Sequence, residues 1–429
     1  MQEKNRPETN VHGMSSNQSK RLIVIGGGAA GFFCAVNAAR LRPGLRVTIL
    51  EKSNKILSKV RISGGGRCNV THACFDIFEM SRRYPRGGHF VKKAFHQFFT
   101  TDTIQWFEER GVELKAEEDG RMFPASNSSQ TIIDCLLREA GKYDVEIKTG
   151  MEVKELQPKD TGFQVTCSNA ESIFADYVCV ACGGYPKSSM FEWLARTGHS
   201  IEEPVPSLFT FNIPAGMPGS AITQLMGVSV EKAVVRIAGT KLEQEGPLLI
   251  THWGLSGPAV LRLSAWGARE LKVRNWEFGI IVNWLRGTTE QELIKRFQVL
   301  RFEIASQKMI NRNPFGLPQR LWEFFLDQAS IDKEKRWADL PAKDQNKLIK
   351  NLCSFQFSIK GKTTFKEEFV TAGGIKLGEV DPYTMMSRKV PNLYFAGEIL
   401  DLDGITGGFN FQHAWTSGYI AATKIAANF

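Results

Sequence analysis

The sequence predicts an α/β fold, with one α/β domain built from both ends of the chain and a β domain and a helical subdomain inserted between them. Three observations predict it. Residues 21–51 read strand, glycine turn, helix, strand. Residues 205–283 alternate apolar and polar side chains between turn signals, which is the period of strands. The end of the chain, Leu393-Tyr394-Phe395-Ala396-Gly397 followed by a glycine-rich loop and a final helix, returns to α/β texture.

Taken in order, residues 1–20 form a polar arm that lacks the apolar core of a secretory signal and is expected to be disordered. The first part of the α/β domain covers 21–204. Within it, 52–75 reads as a loop with three consecutive glycines. Residues 90–110 read as helical on the spacing of Val91, Ala94, Phe95 and Phe98, and 131–140 as another helix. Residues 145–181 read as three short strands. The inserted β domain follows over 205–288, and a helical stretch rich in Leu, Lys, Glu and Gln over 289–351. More strand covers 352–370, and the second part of the α/β domain covers 371–429.

At 429 residues the chain is too long for one ordinary core. Hydrophobic residues at 42% and charged residues at 23% are ordinary globular proportions. No apolar run reaches the ~18–20 residues that span a bilayer, so no membrane partner is expected. The 8 cysteines are scattered, which with no export signal predicts free thiols and a cytoplasmic setting. Cys179 and Cys182 have the C-x-x-C spacing of redox and zinc sites. They lie in the apolar run YVCVACGG with no second Cys pair or nearby His, so they read as strand core and no metal site is expected. The net charge of +9 favours an anionic partner such as a dinucleotide, an acidic substrate or nucleic acid.

The strongest motif is RLIVIGGGAAG. An apolar strand runs into Gly26-x-Gly28-x-x-Gly31, and a small-residue helix follows. Gly26 permits the tight turn, Gly28 lets a pyrophosphate approach the backbone, and Gly31 lets the helix pack on the strand. The helix N-terminus offers free N–H groups and its positive dipole end. A second strand ends in Glu51, whose carboxylate suits a ribose 2′-hydroxyl and would repel a 2′-phosphate. The context is that of a Rossmann-like dinucleotide-binding unit. In a second motif, Ile62-Ser63-Gly64-Gly65-Gly66-Arg67-Cys68-Asn69, the glycines suggest backbone lying against a ligand. Arg67 is placed to offset pyrophosphate charge and Asn69 to bond a flavin edge; a plain surface loop is the alternative. In the third motif, Glu398 after the strand suits ribityl hydroxyls. The helix beginning near Asn410 would aim its N-terminus at the ring, favouring the negative charge that reduction brings.

Together GGGAAG, SGGGRCNVTH, THWGLSGP and FAGEILDLDGITGGFNFQHAW resemble the BaiN/YhiN-like flavoproteins, a family that includes enzymes described as aminoacetone oxidases. The resemblance covers residues 21–429. It implies a Rossmann-like FAD-binding domain built from both chain ends, an inserted β-barrel-like domain and a helical cap. It implies FAD contacts from Gly26, Gly28, Ala30, Gly31, Glu51, Lys52, Gly65, Gly66, Arg67, Cys68 and Asn69. It implies further contacts from Val153 on the adenine side, and from Ala181, Gly183, Gly397, Glu398, Gly408, Asn410 and Phe411. Where related flavoproteins tend to read Ala-Thr-Gly, this chain has Ala181-Cys182-Gly183, which removes a hydroxyl and leaves the backbone contacts.

The family's activities are reduction of conjugated C=C bonds, oxidation of small amines and reduction of uridine in ribosomal RNA, so the cofactor is better defined than the substrate. The chain is therefore expected to be an FAD-dependent oxidoreductase acting on an activated C=C bond. Ribosomal RNA dihydrouridine synthesis, small-amine oxidation and non-catalytic flavin binding are the alternatives. No second G-x-G-x-x-G has a strand–turn–helix context, so NAD(P)H would dock only transiently. Residues 81–97 hold Arg82, Arg83, Arg86, Lys92 and Lys93 with Tyr84 and Phe90 among them. That texture suits RNA, but a basic loop before a core helix reads better. Lys333, Lys335 and Arg336 interleave with acids as a solvated helix face does. His252 and His413 are the proton-transfer candidates and Cys68 a redox or acid thiol; a structural role is the alternative for each.

Overall fold

The computed structural model describes residues 19–363 and 370–429. The arm expected over 1–20 lies outside the described residues but for its last two positions. The α/β unit is organised on a five-stranded parallel sheet. Its order is Leu393–Phe395, Tyr177–Val180, β1 (Arg21–Ile25), β2 (Arg46–Glu51) and Glu146–Thr149. The last strand in the chain thus lies beside one from the first half. Leu22, Ile23, Val24, Val178 and Cys179 are fully buried, as continuous apolar runs in a parallel sheet covered on both faces must be.

Helix α1 (Ala29–Leu41) leads out of the glycine turn, and the C-terminal helix Phe409–Ala427 packs on it. Gly418 allows that approach: a Cβ there would lie 2.7 Å from the Ala30 carbonyl oxygen. The chain leaves and re-enters the unit through one antiparallel pair, Ile201–Ser207 with Val370–Ile375.

Between them lies a seven-stranded antiparallel sheet with its own core. Its outermost strands, Phe355–Lys360 and Lys362–Thr363, are separated in sequence by Gly361 alone. Helices Glu290–Glu303, Gln319–Gln328 and Ala342–Cys353 bury Phe297, Trp322 and Leu348 in the same core.

The local reading needs several corrections. The stretch 205–283 is not all β, because Pro258–Val273 is a helix with proline in its first turn. It buries Ala259, Val260, Leu263 and Leu271 and packs on the strand Glu243–Thr251. The loop expected over 52–75 contains helix α2 (Ser58–Gly66), which breaks at Ser63–Gly65, where the backbone leaves helical angles. The 90–110 pattern is two helices, Gly88–Phe95 and Thr100–Glu108. Residues 145–181 form five strands, of which Val153–Lys159, Gly162–Cys167 and Ser172–Ala175 make a separate sheet.

One buried ion pair ties these parts together. Arg86 grips the fully buried carboxylate of Asp403 and donates to the Ala265 carbonyl at 2.6 Å and Ser207 Oγ at 3.3 Å. Ser207 Oγ in turn donates to Asp403 at 2.7 Å. Removing one partner of such a pair strands the other charge away from water. Arg86→Met is expected to destabilise the protein by about 3–5 kcal/mol in chemical denaturation. Arg82→Met, at an exposed pair with Glu79, should cost under about 1 kcal/mol.

Candidate functional site

The three glycines of the first turn have three different environments. A Cβ on Gly26 (φ +117°) would overlap the Ala181 carbonyl, and one on Gly31 would overlap the Gly26 carbonyl. These contacts set the turn and the close packing of α1. A Cβ on Gly28 would meet nothing within 4 Å, so its face is open. Gly28 caps α1 without any side-chain bond, which leaves the first N–H groups of the helix available. Glu51, at the end of β2, accepts from the Gly27 N–H at 2.9 Å and from the Ser53 N–H at 2.9 Å.

A cleft of about 310 Å³ opens beside this turn, lined among others by Gly26, Glu51, Lys52, Val153, Cys182 and Trp193. Glu51, Lys52 and Val153, three of the residues the resemblance implies, therefore line one cleft. Lys52 Nζ lies 5.5 Å from the centre of the Tyr185 ring. Burial pushes the Cys182 thiol up to about 11, while the Cys179 thiol is raised by its bond with Cys34 and by burial. The two sulfurs thus face different surroundings, and all the described cysteines are free.

In the second motif Gly64, Gly65 and Gly66 all have positive φ. Gly65 and Gly66 also have open space where a Cβ would stand. Arg67 already has a carboxylate, Glu117 Oε1 at 2.6 Å, and lies 4.0 Å from the Phe123 ring centre. Cys68 is buried and its thiol is pushed up to about 12, mainly by desolvation, so it holds its proton. The Asn69 amide donates to the Thr71 carbonyl at 3.0 Å and accepts from the Gly408 N–H at 3.0 Å. It fastens this loop to the C-terminal Gly-Gly turn.

In the third motif Glu398 accepts from the Thr371 N–H at 2.8 Å and pairs with Lys59 at 2.5 Å. The Gly397 N–H donates to Ser417 Oγ at 2.9 Å, and the Ala181 N–H to the Ile25 carbonyl at 2.8 Å. Gly408 (φ +93°) caps the C-terminal helix. The Asn410 amide closes its own loop, accepting from the Gly404 N–H at 2.8 Å and donating to the Gly404 carbonyl at 2.9 Å. Phe411 stacks on Trp415 at 5.8 Å. Gly183 again has an open face.

Of the proton-transfer candidates, His413 is buried, neither ring nitrogen makes a well-formed hydrogen bond, and desolvation outweighs the nearby Gly397 backbone to push it down to about 4. His252 is exposed at the turn between Glu243–Thr251 and Gly254–Ser256, against Trp253. In the basic stretch Tyr84 and Phe90 are buried and Arg86 is committed to Asp403, while Arg82, Arg83, Lys92 and Lys93 remain exposed.

Two residues were missed. His72, the last residue of the SGGGRCNVTH run, places Nδ1 3.0 Å from the Gly407 carbonyl and stacks on Phe409 at 4.7 Å. A carbonyl only accepts, so Nδ1 carries the proton; burial lowers the pKa of the ring. Thr371 holds Glu398 through its backbone, and its buried Oγ1 has no partner. Its sequence signal is its place two residues before Gly373-Gly374.

The open backbone faces of Gly28, Gly65, Gly66 and Gly183, the uncapped α1 terminus and the orphaned Thr371 hydroxyl, drawn from both ends of the chain, leave backbone and polar groups free for a ligand. These residues fit FAD. The family described as HI0933-like protein Rossmann domain matches residues 20–424. A ribosomal RNA dihydrouridine synthase of Escherichia coli (strain K12) is 30% identical, covering 94% of this chain and 98% of its own. A 3-dehydro-bile acid delta(4,6)-reductase of Clostridium scindens is 29% identical, covering 95% and 99%. A ribosomal RNA dihydrouridine synthase of Haemophilus influenzae is also 29% identical, covering 96% and 99%.

Two measurements check this geometry. Gly28→Ala should fold normally and bind FAD at least about tenfold more weakly, a loss of ~1.4 kcal/mol, in a fluorescence titration; Gly31→Ala should unfold the domain instead. His413 is neutral when folded and free to protonate when unfolded. Its contribution is therefore present above the unfolded value of 6.5 and lost as pH falls toward about 4. Relative to His413→Leu, the protein should lose ~3 kcal/mol of stability between pH 7 and pH 4; parallel pH profiles for the two would refute the buried neutral ring.

Proposed function

The chain belongs to the HI0933-like Rossmann-domain family and is an FAD-dependent oxidoreductase, and from that premise we propose that it reduces an activated C=C bond of a small-molecule substrate. What supports the proposal is the set of open glycine faces from both chain ends, taken together as one cofactor cradle, in a chain related over its length to a reductase named for the delta(4,6) bonds of a bile acid.

In this reading the Gly28 backbone and the α1 terminus hold the pyrophosphate, Glu51 the ribose hydroxyls, and Lys52 and Val153 the adenine side. The Gly65–Gly66 backbone and Glu398 hold the ribityl side, and the positive end of the C-terminal helix lies at the ring. Bound FAD supplies two-electron transfer. Ala181, Gly183, Gly397, Gly408 and Phe411 contribute surface, while Arg67, Asn69 and Asn410 hold the loops in place through the protein bonds described above. The electron donor is a reduced nicotinamide dinucleotide that docks transiently. The seven-stranded sheet is taken as the barrel-like insertion, since its edge strands are consecutive in the chain, and the three helices of 289–351 as its cap. The free thiols suit the cytoplasm, and among the described residues no helix is long and apolar enough to cross a membrane.

A second reading, reduction of uridine in RNA, is favoured by one observation. Phe75 and Phe78 are exposed, and Lys92 and Arg82 lie 5.2 and 5.7 Å from the Phe78 ring centre. Such a surface suits stacked bases and phosphates.

The test is the visible spectrum during anaerobic titration with NADH. The flavin bands should bleach and return when a conjugated enone or enoate is added. Bands that persist with NADH and NADPH but bleach with a small amine would make the protein an oxidase. Bands restored only by RNA, with affinity falling steeply with salt, would establish the second reading.

A further inference from the structure

The helix Pro258–Val273 lays one row of residues along the C-terminal cofactor loop. Arg269 pairs with Asp401 at 2.8 Å. One turn earlier the Ala265 carbonyl accepts from Arg86, which also grips Asp403. Arg262 stands a further turn back on the same face. Its Nε donates to the Pro258 carbonyl of its own helix at 3.2 Å. Its Nη2 lies over Gly246, where a Cβ would approach to 2.7 Å. The side chain is half-buried and, among the described residues, has no ion pair. A guanidinium drawn partly out of water without a counter-charge is unfavourable until an anion joins it.

Arg83 lies in the segment whose Arg86 donates to the Ala265 carbonyl of that same helix face. The Arg83 carbonyl accepts from the Ile405 N–H at 3.0 Å, which fixes it to the cofactor loop. Its side chain is exposed and is likewise in no ion pair among the described residues. The charge of Arg83 acts on both Arg262 and His72, as does that of Asp119. Glu245 also acts on Arg262. Those two acids are already engaged, Asp119 with Arg121 at 2.7 Å and Glu245 with Arg286 at 3.0 Å. Both guanidinium groups thus lack an ion pair among the described residues, one on the helix whose Arg269 pairs with Asp401 of the C-terminal loop and one on the segment bonded to Ile405.

We propose that Arg262 and Arg83 form an anion clamp that takes a carboxylate carried by the substrate and so fixes its orientation beside the flavin loop. Planar guanidinium forks match a carboxylate's two oxygens, and partial burial of Arg262 strengthens the pairing. That the bound molecule also carries the reducible bond rests on the reductase reading; the clamp itself is a binding site.

The test is a binding titration on the oxidised holoenzyme, read from perturbation of the flavin bands. The probes are crotonate, sorbate and trans-cinnamate, each beside its methyl ester. At least one acid should bind tenfold or more tightly than its ester. Arg262→Met should abolish that preference, Arg262→Lys should keep part of it, and Arg274→Met, at an exposed pair with Glu270, should leave it intact. If Arg262→Met fails to retain FAD, the exposed Arg83→Met provides the same comparison. Acids that bind no better than their esters, or a preference that survives both methionine variants, would overturn the clamp. Binding without turnover would leave the clamp standing and sink the reductase reading. Equal turnover of acid and ester would do the reverse.

Discussion

Backbone contact at the meeting of α1, the glycine turn and the C-terminal helix is the constraint on which the rest depends. Gly31 lies against the Gly26 carbonyl, Gly26 against Ala181, and Gly418 against the Ala30 carbonyl and the Cys34 N–H. Side chains can shift to accommodate a neighbour, but main chain pressed on main chain cannot. The first and last motifs of the chain are thus held in register by contacts that tolerate no Cβ. The Asn69–Gly408 and Lys59–Glu398 bonds then add the middle motif to the same frame.

The inserted region is attached differently. Among the described residues the two large hydrophobic cores are distinct; of the inserted helix, Ala265 joins the first core and Ala268 forms a small separate cluster with Val205 and Ala372. Polar contacts do much of the joining: Arg86 with Asp403, Arg269 with Asp401, and Lys272 with Glu203. A junction built from charges has local electrostatics set by which charges remain unmatched. Among the described residues Arg262 and Arg83 are in no ion pair, which is why the proposed clamp would take an anion there.

The parts of this arrangement that were legible in the sequence are those fixed by local chemistry. The centre of the parallel sheet could be read because Arg21–Ile25 and Tyr177–Val180 are mostly apolar runs, and the glycine turn because each glycine has its own backbone reason. The Pro258–Val273 helix could not, since Ser264 and Gly267 are poor helix formers and its stability comes from packing on the strand Glu243–Thr251. Its buried residues do fall at helical spacing, but the surrounding alternation masked them. Arg67, Glu398 and Asn410 were singled out by their chemical types. Their partners, Glu117, Lys59 and the Gly404 backbone, depend on distant or looped chain and carry no local signal. His72 had such a signal, its place in the glycine motif, and needed Gly407 beside it to acquire a meaning.

These observations divide the labour of the site. In the proposed reading the cofactor meets mostly backbone, because the polar side chains of these motifs are bonded within the protein: Glu51 to Gly27, Arg67 to Glu117, Glu398 to Thr371 and Lys59. Backbone recognition is insensitive to side-chain substitution, so one cradle can persist while the surface beyond it changes. That is consistent with relatives of similar identity bearing names as different as a bile-acid reductase and a ribosomal RNA dihydrouridine synthase. Selectivity must then reside in side chains that the cradle does not use. In this chain Arg83 comes from the segment leading into Gly88–Phe95 and Arg262 from the inserted helix, so the residues that would distinguish one substrate from another are contributed by both sides of the junction.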